Sequence, residues 1–228
     1  MNMKLTLALI ALQPGLIAFA AGDSKTTSLP NDSTHTQRSF FDERAEVWDS
    51  INHPDTDKIH ELLDRLEIGR SDRILDVGTG TGVLIPELCE RAPEGQILGV
   101  DISPNMIDVA RRKWADRKQV AFSVCDVENS LPEGQYDKII LFCMFPHLEH
   151  KEQTVARLTS CLAPGGKLMI AHDRSRDFLN HLHGTADERV HEAMLRPADE
   201  QKALFEAEGL QVDVAYEDDS CYYIIIEK

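Results

Sequence analysis

Beyond Asp72, short apolar runs alternate with longer stretches in which apolar residues recur every three or four positions. The runs at 73–77, 96–100, 120–124, 138–142 and 167–172 have strand length, while 82–91, 104–115, 151–162 and 198–208 carry helical spacing. Strands that read apolar throughout and alternate with helices predict an α/β fold, Rossmann-like, with a mostly parallel sheet covered on both faces. The last part departs from that rhythm. Two strand candidates, 211–216 and 221–227, flank the turn-like acidic interval Glu217-Asp218-Asp219-Ser220. They predict a hairpin, so a seven-stranded sheet finishes with an antiparallel C-terminal edge. Before Asp72, residues 40–51 carry a stripe of Phe40, Val47, Trp48 and Ile51, and Pro54 ends that helix by restricting His53. A second helix, 55–66, places Ile59, Leu62, Leu63 and Leu66 on one face. Residues 173–197 break the alternation and read as an insertion or helical flap.

The first residues follow another pattern. Lys4 precedes a stretch from Leu5 to Ala21 that is apolar apart from Thr6, Gln13, Pro14 and Gly15, and Ala18-Phe19-Ala20 gives a small-x-small ending. Residues 22–38 are polar. This resembles a secretory signal, yet the apolar stretch is marginal for a stable membrane span and Pro14-Gly15 interrupts it. The expected division is therefore a signal-like or flexible segment over 1–38, and one domain over 39–228 with its flap near 173–197. Composition narrows the partners. Of 228 residues, 24 are Lys or Arg and 39 Asp or Glu, for a formal charge of -15. Such a chain is repelled by nucleic acid and anionic lipid, and no dense basic run offsets that. Five dispersed cysteines form neither a CxxC motif nor a disulfide framework, which suits a reducing compartment. Nothing in the pattern dictates an oligomeric state.

The segment ILDVGTGTGVL, residues 74–84, runs from a strand through Gly78, Thr79, Gly80 and Gly82 toward a helix. Glycines permit turns closed to other residues and close helix–strand packing, and the turn and helix start offer a cradle of N–H groups. The register is GxGxG; Val83 stands where a dinucleotide site needs its third glycine. Asp76, at the strand end, opposes a pyrophosphate and suits a cationic group such as an amino-acid ammonium. No P-loop pattern is present. Asp101, ending the next strand, is placed to accept from vicinal ribose hydroxyls, with Ile102 and Met106 as apolar cover for a base; equally, Asp101 fits a cap for the helix near Pro104, and Met106 a core position. After the third strand, Asp126 can accept from an exocyclic amine while Val127 offers backbone contacts. Phe142 ends the fourth strand and closes the pocket. Pro164-Gly165-Gly166 is expected as a turn before the fifth.

In this combination and order, the chain over about residues 40–228 resembles the class I S-adenosylmethionine-dependent methyltransferases. The resemblance matches Asp76, Gly78, Gly80 and Gly82 to the family's acidic-glycine turn, Asp101 to its ribose acid, Asp126 to its adenine acid, and Pro164 to Gly166 to the turn before strand five. It implies S-adenosyl-L-methionine as cofactor and in-line transfer of its methyl group to a nucleophile. Because that cofactor is supplied inside the cell, cytoplasmic residence is favoured, with secretion left open by the signal-like start. Two other readings stand: a non-catalytic S-adenosylmethionine-binding protein, and an NAD-dependent oxidoreductase, which Asp76 and the glycine register disfavour.

Acceptor chemistry falls on the histidines. Six of nine lie between residues 147 and 191. His147 and His172 follow the fourth and fifth strands, at the sheet edge where an acceptor enters, and imidazoles titrate near neutrality; they are the expected catalytic or acceptor-orienting pair. His147 with His150, and His181 with His183 and His191, offer nitrogen ligands, but without a recognised metal spacing, so a divalent metal is admitted and not favoured. Arg174 and Arg176 are expected to pair with acids. A small-molecule acceptor is favoured, since no basic-aromatic platform for nucleic acid occurs. Phe40, Phe41 and Trp48 are expected to close over the cofactor.

Overall fold

The computed structural model describes residues 32–185, 187–190 and 192–228. The signal-like stretch and His191 lie outside them. A seven-stranded sheet in the order β3-β2-β1-β4-β5-β7-β6 forms the centre. Its strands are β1 (Arg73–Val77), β2 (Gln96–Asp101), β3 (Val120–Val124), β4 (Tyr136–Phe142), β5 (Leu162–His172), β6 (Gln211–Glu217) and β7 (Tyr222–Glu227). From β3 through β5 neighbouring strands are parallel. β7 runs antiparallel to both β5 and β6, so the Rossmann-like architecture and its antiparallel edge are both present.

Alternation along the strands sends successive side chains to opposite faces. Leu75, Val77, Ile139 and Leu141 join one core with Val155, Leu158 and Phe205; Ile74, Ile140 and Phe142 join the other with Ile59, Leu62, Ile85 and Leu88. The first core is covered by α6 (Lys151–Ser160), α7 (Arg176–Thr185) and α8 (Ala198–Ala207), the second by α3 (Thr56–Asp64) and α4 (Ile85–Arg91). Burying Leu62, Leu63, Ile74, Ile85 and Leu88, each at most 2% exposed, contributes about 1.5–3 kcal/mol per side chain. Asp76 falls on this second face by the same alternation, a carboxylate among aliphatic residues.

Three details differ from the sequence pattern. The helix expected over 40–51 is three pieces: α1 (Asp32–Arg44), a 3-10 turn (Ala45–Val47) and α2 (Trp48–Ile51). Its start lies inside the polar stretch, where no apolar period marks it. Docking holds it instead: the Asp42 carboxylate accepts from Ser103 Oγ at 2.5 Å, which fixes α1 beside α5 (Pro104–Lys113). The helix expected from residue 82 begins at Ile85, because Gly78, Gly80 and Gly82 all take positive φ (71°, 55° and 84°). β5 begins at Leu162, not 167, with a register shift opposite Tyr136 and Lys138; the Pro164-Gly165-Gly166 segment is thus an irregularity within the strand rather than a turn before it. The flap region contains α7, tied down where Asn180 bonds both the carbonyl and the N–H of Leu195, at 2.9 and 2.8 Å.

Candidate active site

The chain visits β1, β2 and β3 on one side of the sheet and then crosses to β4, which makes the carboxyl ends of β1 and β4 a topological switch point. Two loops meet there. A Cβ on Gly78 would lie 2.6 Å from Met144 Cβ, and its φ of 71° is unfavourable for a side chain. A cavity of about 510 Å³ opens above this junction, lined by residues that follow β1, β2, β3, β4 and β5, and roofed by Gln37, Phe41, Trp48 and Asp49 of the N-terminal helices. Its size suits a small organic ligand.

At one end lies the glycine turn. The N–H groups of Gly78 and Thr79 bond Val100 O at 2.8 and 3.0 Å, pinning the end of β1 to β2. Gly82 N–H closes the turn on Thr79 O at 2.8 Å. Gly80 is open toward the cavity, where an added Cβ meets only Trp48 Nε1 within 4 Å, at 3.9 Å. Asp101 stands across from it: one carboxylate oxygen accepts from Gly80 N–H, the other from Ser103 N–H, each at 2.9 Å. Burial raises the Asp101 pKa to about 6, with Asp42 adding to the rise and those two N–H groups opposing it. The cap expected of it passes instead to Ser103, whose hydroxyl accepts from Met106 N–H at 3.1 Å. Asp126 accepts from Glu128 N–H at 3.0 Å and from the Asn129 amide at 2.7 Å, bracing the loop after β3.

Gly78, Thr79, Gly80, Asp101, Ile102, Met106, Asp126, Val127 and Phe142 line the cavity. Asp76 and Gly82 are not among its lining residues. Asp76, 2% exposed, lies behind the turn and accepts from the Thr79 hydroxyl at 2.6 Å. Burial pushes its pKa up to about 7, against the Thr79 hydrogen bond and with the charge of Asp101. Gly82 packs against Trp114, whose Nε1–H donates to Thr81 O at 3.0 Å.

Comparison with known proteins agrees with this geometry. A family profile described as a methyltransferase domain matches residues 74–166, from β1 into β5. The chain is 32% identical over 146 residues to malonyl-(acyl-carrier protein) O-methyltransferase of Halalkalibacterium halodurans, covering 60% of this chain and 54% of that protein. It is 38% identical over 100 residues to demethylmenaquinone methyltransferase of Thermus thermophilus, covering 43% and 46%. Among solved structures, the N-methyltransferase NodS of Bradyrhizobium japonicum in complex with S-adenosyl-L-homocysteine matches with a TM-score of 0.64 at 15% identity, over 85% of this chain and 98% of that one. Over residues 74–166 the chain is similar to a methyltransferase domain, the class its sequence motifs resemble. It spans about half the length of the curated relatives it matches.

The other end of the cavity is histidine-rich. Main-chain pairing of Cys143 N–H with Ala171 O at 2.9 Å holds the ends of β4 and β5 side by side. That brings His147, in the 3-10 turn after β4, and His172, the last residue of β5, into one cavity together with His183 of α7. The His147 and His183 rings lie 5.2 Å apart. Burial lowers the pKa of both His147 and His172 to about 3, and the neighbouring imidazoles add to it. They are uncharged at neutral pH. The His147 loop is held from below by Glu128, whose carboxylate accepts from the N–H groups of Glu149 and His150 at 3.2 and 2.7 Å.

Sequence reasoning singled out the histidine pair but not its setting. Of the neighbouring pair that offers nitrogen ligands, His181 is exposed and away from the cavity, and His183 lines it. His150 is exposed at the start of α6. Among the described residues, no group of three His, Cys, Asp or Glu is arranged to hold a metal ion. Cys143 also lines the cavity. It is exposed to the cavity at a positive φ of 53°, with its thiol 3.5 Å from Asp173. No sequence signal announces that backbone; an acid directly after a strand-ending histidine was the available hint for Asp173. Arg174 and Arg176 do pair with acids, Arg174 with Asp55 and Asp173, Arg176 with Asp177 and Glu217.

Proposed function

We propose that this chain is an enzyme that transfers the methyl group of S-adenosyl-L-methionine to a small-molecule acceptor. The observation that carries the reading is a single cavity with two chemically different ends: an acid and glycine end built from Gly80, Asp101 and Asp126, and a neutral histidine end built from His147 and His172. The residues present fit the cofactor. Gly80 leaves space that a side chain would fill, Asp101 offers carboxylate oxygens toward that space, and Ile102, Met106 and Phe142 give apolar cover for a planar base. When bound, the cofactor supplies an electrophilic methyl group on a sulfonium.

This chain's own residues orient, shield and move a proton. Asp101 accepts from the ribose hydroxyls and Asp126 from the adenine amine. Asp76 acts from behind the turn by holding Thr79, which would meet the amino-acid end of the cofactor. Phe41 and Trp48 exclude water from above. His147 and His172 orient the acceptor, and one of them takes its proton when the nucleophile is protonated at working pH. Alignment of two reactants in one cavity supplies up to about 7–11 kcal/mol of the barrier reduction.

Incubation with methyl-labelled S-adenosylmethionine and pooled small metabolites tests the proposal. Label in an organic product with equal formation of S-adenosylhomocysteine is expected; tight binding without transfer makes the protein a non-catalytic binder. The acceptors named for the relatives, a malonyl thioester and a demethylmenaquinone, belong in that panel. We place the protein in the cytoplasm, where the cofactor is made and where its five free cysteines stay reduced. No helix among the described residues is long and apolar enough to cross a membrane. The N-terminal mass of native protein, read with its cell fraction, checks the placement.

A further inference from the structure

Four ring nitrogens at the acceptor end, Nδ1 of His147, both nitrogens of His172 and Nδ1 of His183, are buried without a hydrogen-bond partner. Buried polar atoms are normally satisfied, and leaving one unpaired costs about 1–3 kcal/mol. Here the three residues that carry them line one cavity. His172 is 1% exposed and has only the edge of Tyr222 beside it, at 5.9 Å between ring centroids. Phe41 closes on His147 edge to face at 5.3 Å. Phe178 and Leu182, one turn apart on α7 and 51% and 49% exposed, form an apolar mouth.

Charge decides what such a site can hold. Arg174 is the single Lys or Arg among the described lining residues, and Asp55 and Asp173 hold it at 3.6 and 3.8 Å. An acceptor carboxylate would therefore meet no free cation. A protonated amine would fare no better, because Asp173 already serves Arg174, the Asp55 N–H at 2.6 Å and the Cys143 thiol. An unprotonated imidazole, by contrast, offers one donor and one acceptor, which matches a hydroxyl.

We propose that His147, His172 and His183 form one acceptor-recognition subsite, selective for an uncharged hydroxyl of the phenol or enol class on an apolar body. This rests on the methyltransferase reading and names its acceptor. The acceptor oxygen forms the new O–C bond with a lone pair while the S–C bond breaks and sulfur keeps the pair of the broken bond. The O–H proton passes to an unprotonated ring nitrogen of the subsite and is released to solvent once the methylated product has left. A weakly basic imidazole suffices, since the oxygen becomes strongly acidic as the methyl arrives. Around His147, His183 and Lys151 disfavour protonation, and around His172, His147 and His183 do so; the Tyr222 ring packs on His172 from β7.

The test is competitive binding to the full-length protein saturated with S-adenosylhomocysteine, at about pH 7.5, with 4-butylphenol, 4-butylbenzoate and 4-butylbenzylamine as probes. The phenol is expected to bind at least about tenfold tighter than either charged probe. His183→Leu should lose about tenfold in phenol affinity, and His183→Gln, which keeps both hydrogen-bonding functions, should stay within about threefold of the parent. Unchanged S-adenosylhomocysteine affinity in both variants shows that they are folded. Benzoate or benzylamine binding as tightly as phenol, no binding of any probe, or a His183→Leu variant that holds phenol like the parent overturns the inference and leaves methyl transfer standing. Failure of the parent protein to bind S-adenosylhomocysteine overturns both.

Discussion

Under the proposed function, Asp101 is the side chain that meets the cofactor's ribose. It ends β2, accepts two backbone N–H groups, and still faces the cavity. A buried hydrogen bond to a charged group contributes about 1.5–3 kcal/mol, so Asp101→Ala should weaken S-adenosylmethionine binding by roughly one to two powers of ten in calorimetry. Unchanged affinity would remove Asp101 from the ribose. The neighbouring acid works differently. Asp76 reaches the turn through Thr79 at 2.6 Å and does not line the cavity, so Thr79→Val should reproduce part of any loss seen with Asp76→Asn. Independent, additive losses in a double-mutant cycle would show that the two side chains act apart. Spacing along a strand identified both carboxylates; the depth that separates their roles depends on which face of the sheet each one takes.

At the scale of elements, the turn between β1 and α4 and the loop after β4 carry the site. Gly82 has φ of 84°, and a Cβ there would press into Trp114 Nε1. Left-handed backbone costs a non-glycine residue about 1–2 kcal/mol, and overpacking a further 1–3. Gly82→Ala should therefore lower the unfolding free energy by about 2–5 kcal/mol in urea titration. A loss below about 0.5 kcal/mol would mean that the turn relaxes freely. The loop bearing His147 depends on Glu128 in the same way. Glu128→Ala should speed amide exchange at Glu149 and His150, the residues whose N–H groups it accepts, while exchange in β1 stays as it was. Equal acceleration throughout the domain would point to global destabilisation instead. The glycine turn was legible in the sequence, because few residues other than glycine take such angles. The Glu128 brace was not, since it joins the loop after β3 to the start of α6.

At the scale of the molecule, two sets of buried groups pull stability in opposite directions with pH. Asp76 and Asp101 hold protons up to about pH 7 and 6, whereas in the unfolded chain they ionise near 4. Through that window the folded state binds more protons, so these acids make stability fall as pH rises. His147 and His172 stay unprotonated down to about pH 3, whereas unfolded histidines take up protons below about 6.5. They make stability fall as pH drops. Between about pH 4 and 6.5 the two trends offset each other, and the unfolding free energy should be nearly level. Asp76→Asn removes one of the two acids from that balance. Its stability should rise between about pH 5 and 6.5 more steeply than the parent's, by up to about 1.4 kcal/mol per pH unit. Parallel urea midpoints for the two proteins across that range would contradict the assignment.

The alternation of apolar runs with helical periods determined the sheet, its parallel part and its antiparallel edge, because burial on one or both faces imposes its period on consecutive residues. The glycine register and the strand-ending acids marked the acid and glycine end of the cavity for the same reason: each motif is local in the chain. What only the tertiary structure decided joins distant segments. Docking of Asp42 on Ser103 fixed where α1 lies, and the glycine angles set the start of α4. Convergence of β4, β5 and α7 placed His147, His172 and His183 in one water-poor cavity. Desolvation there, a property of the assembled fold and of no single residue, keeps those imidazoles neutral.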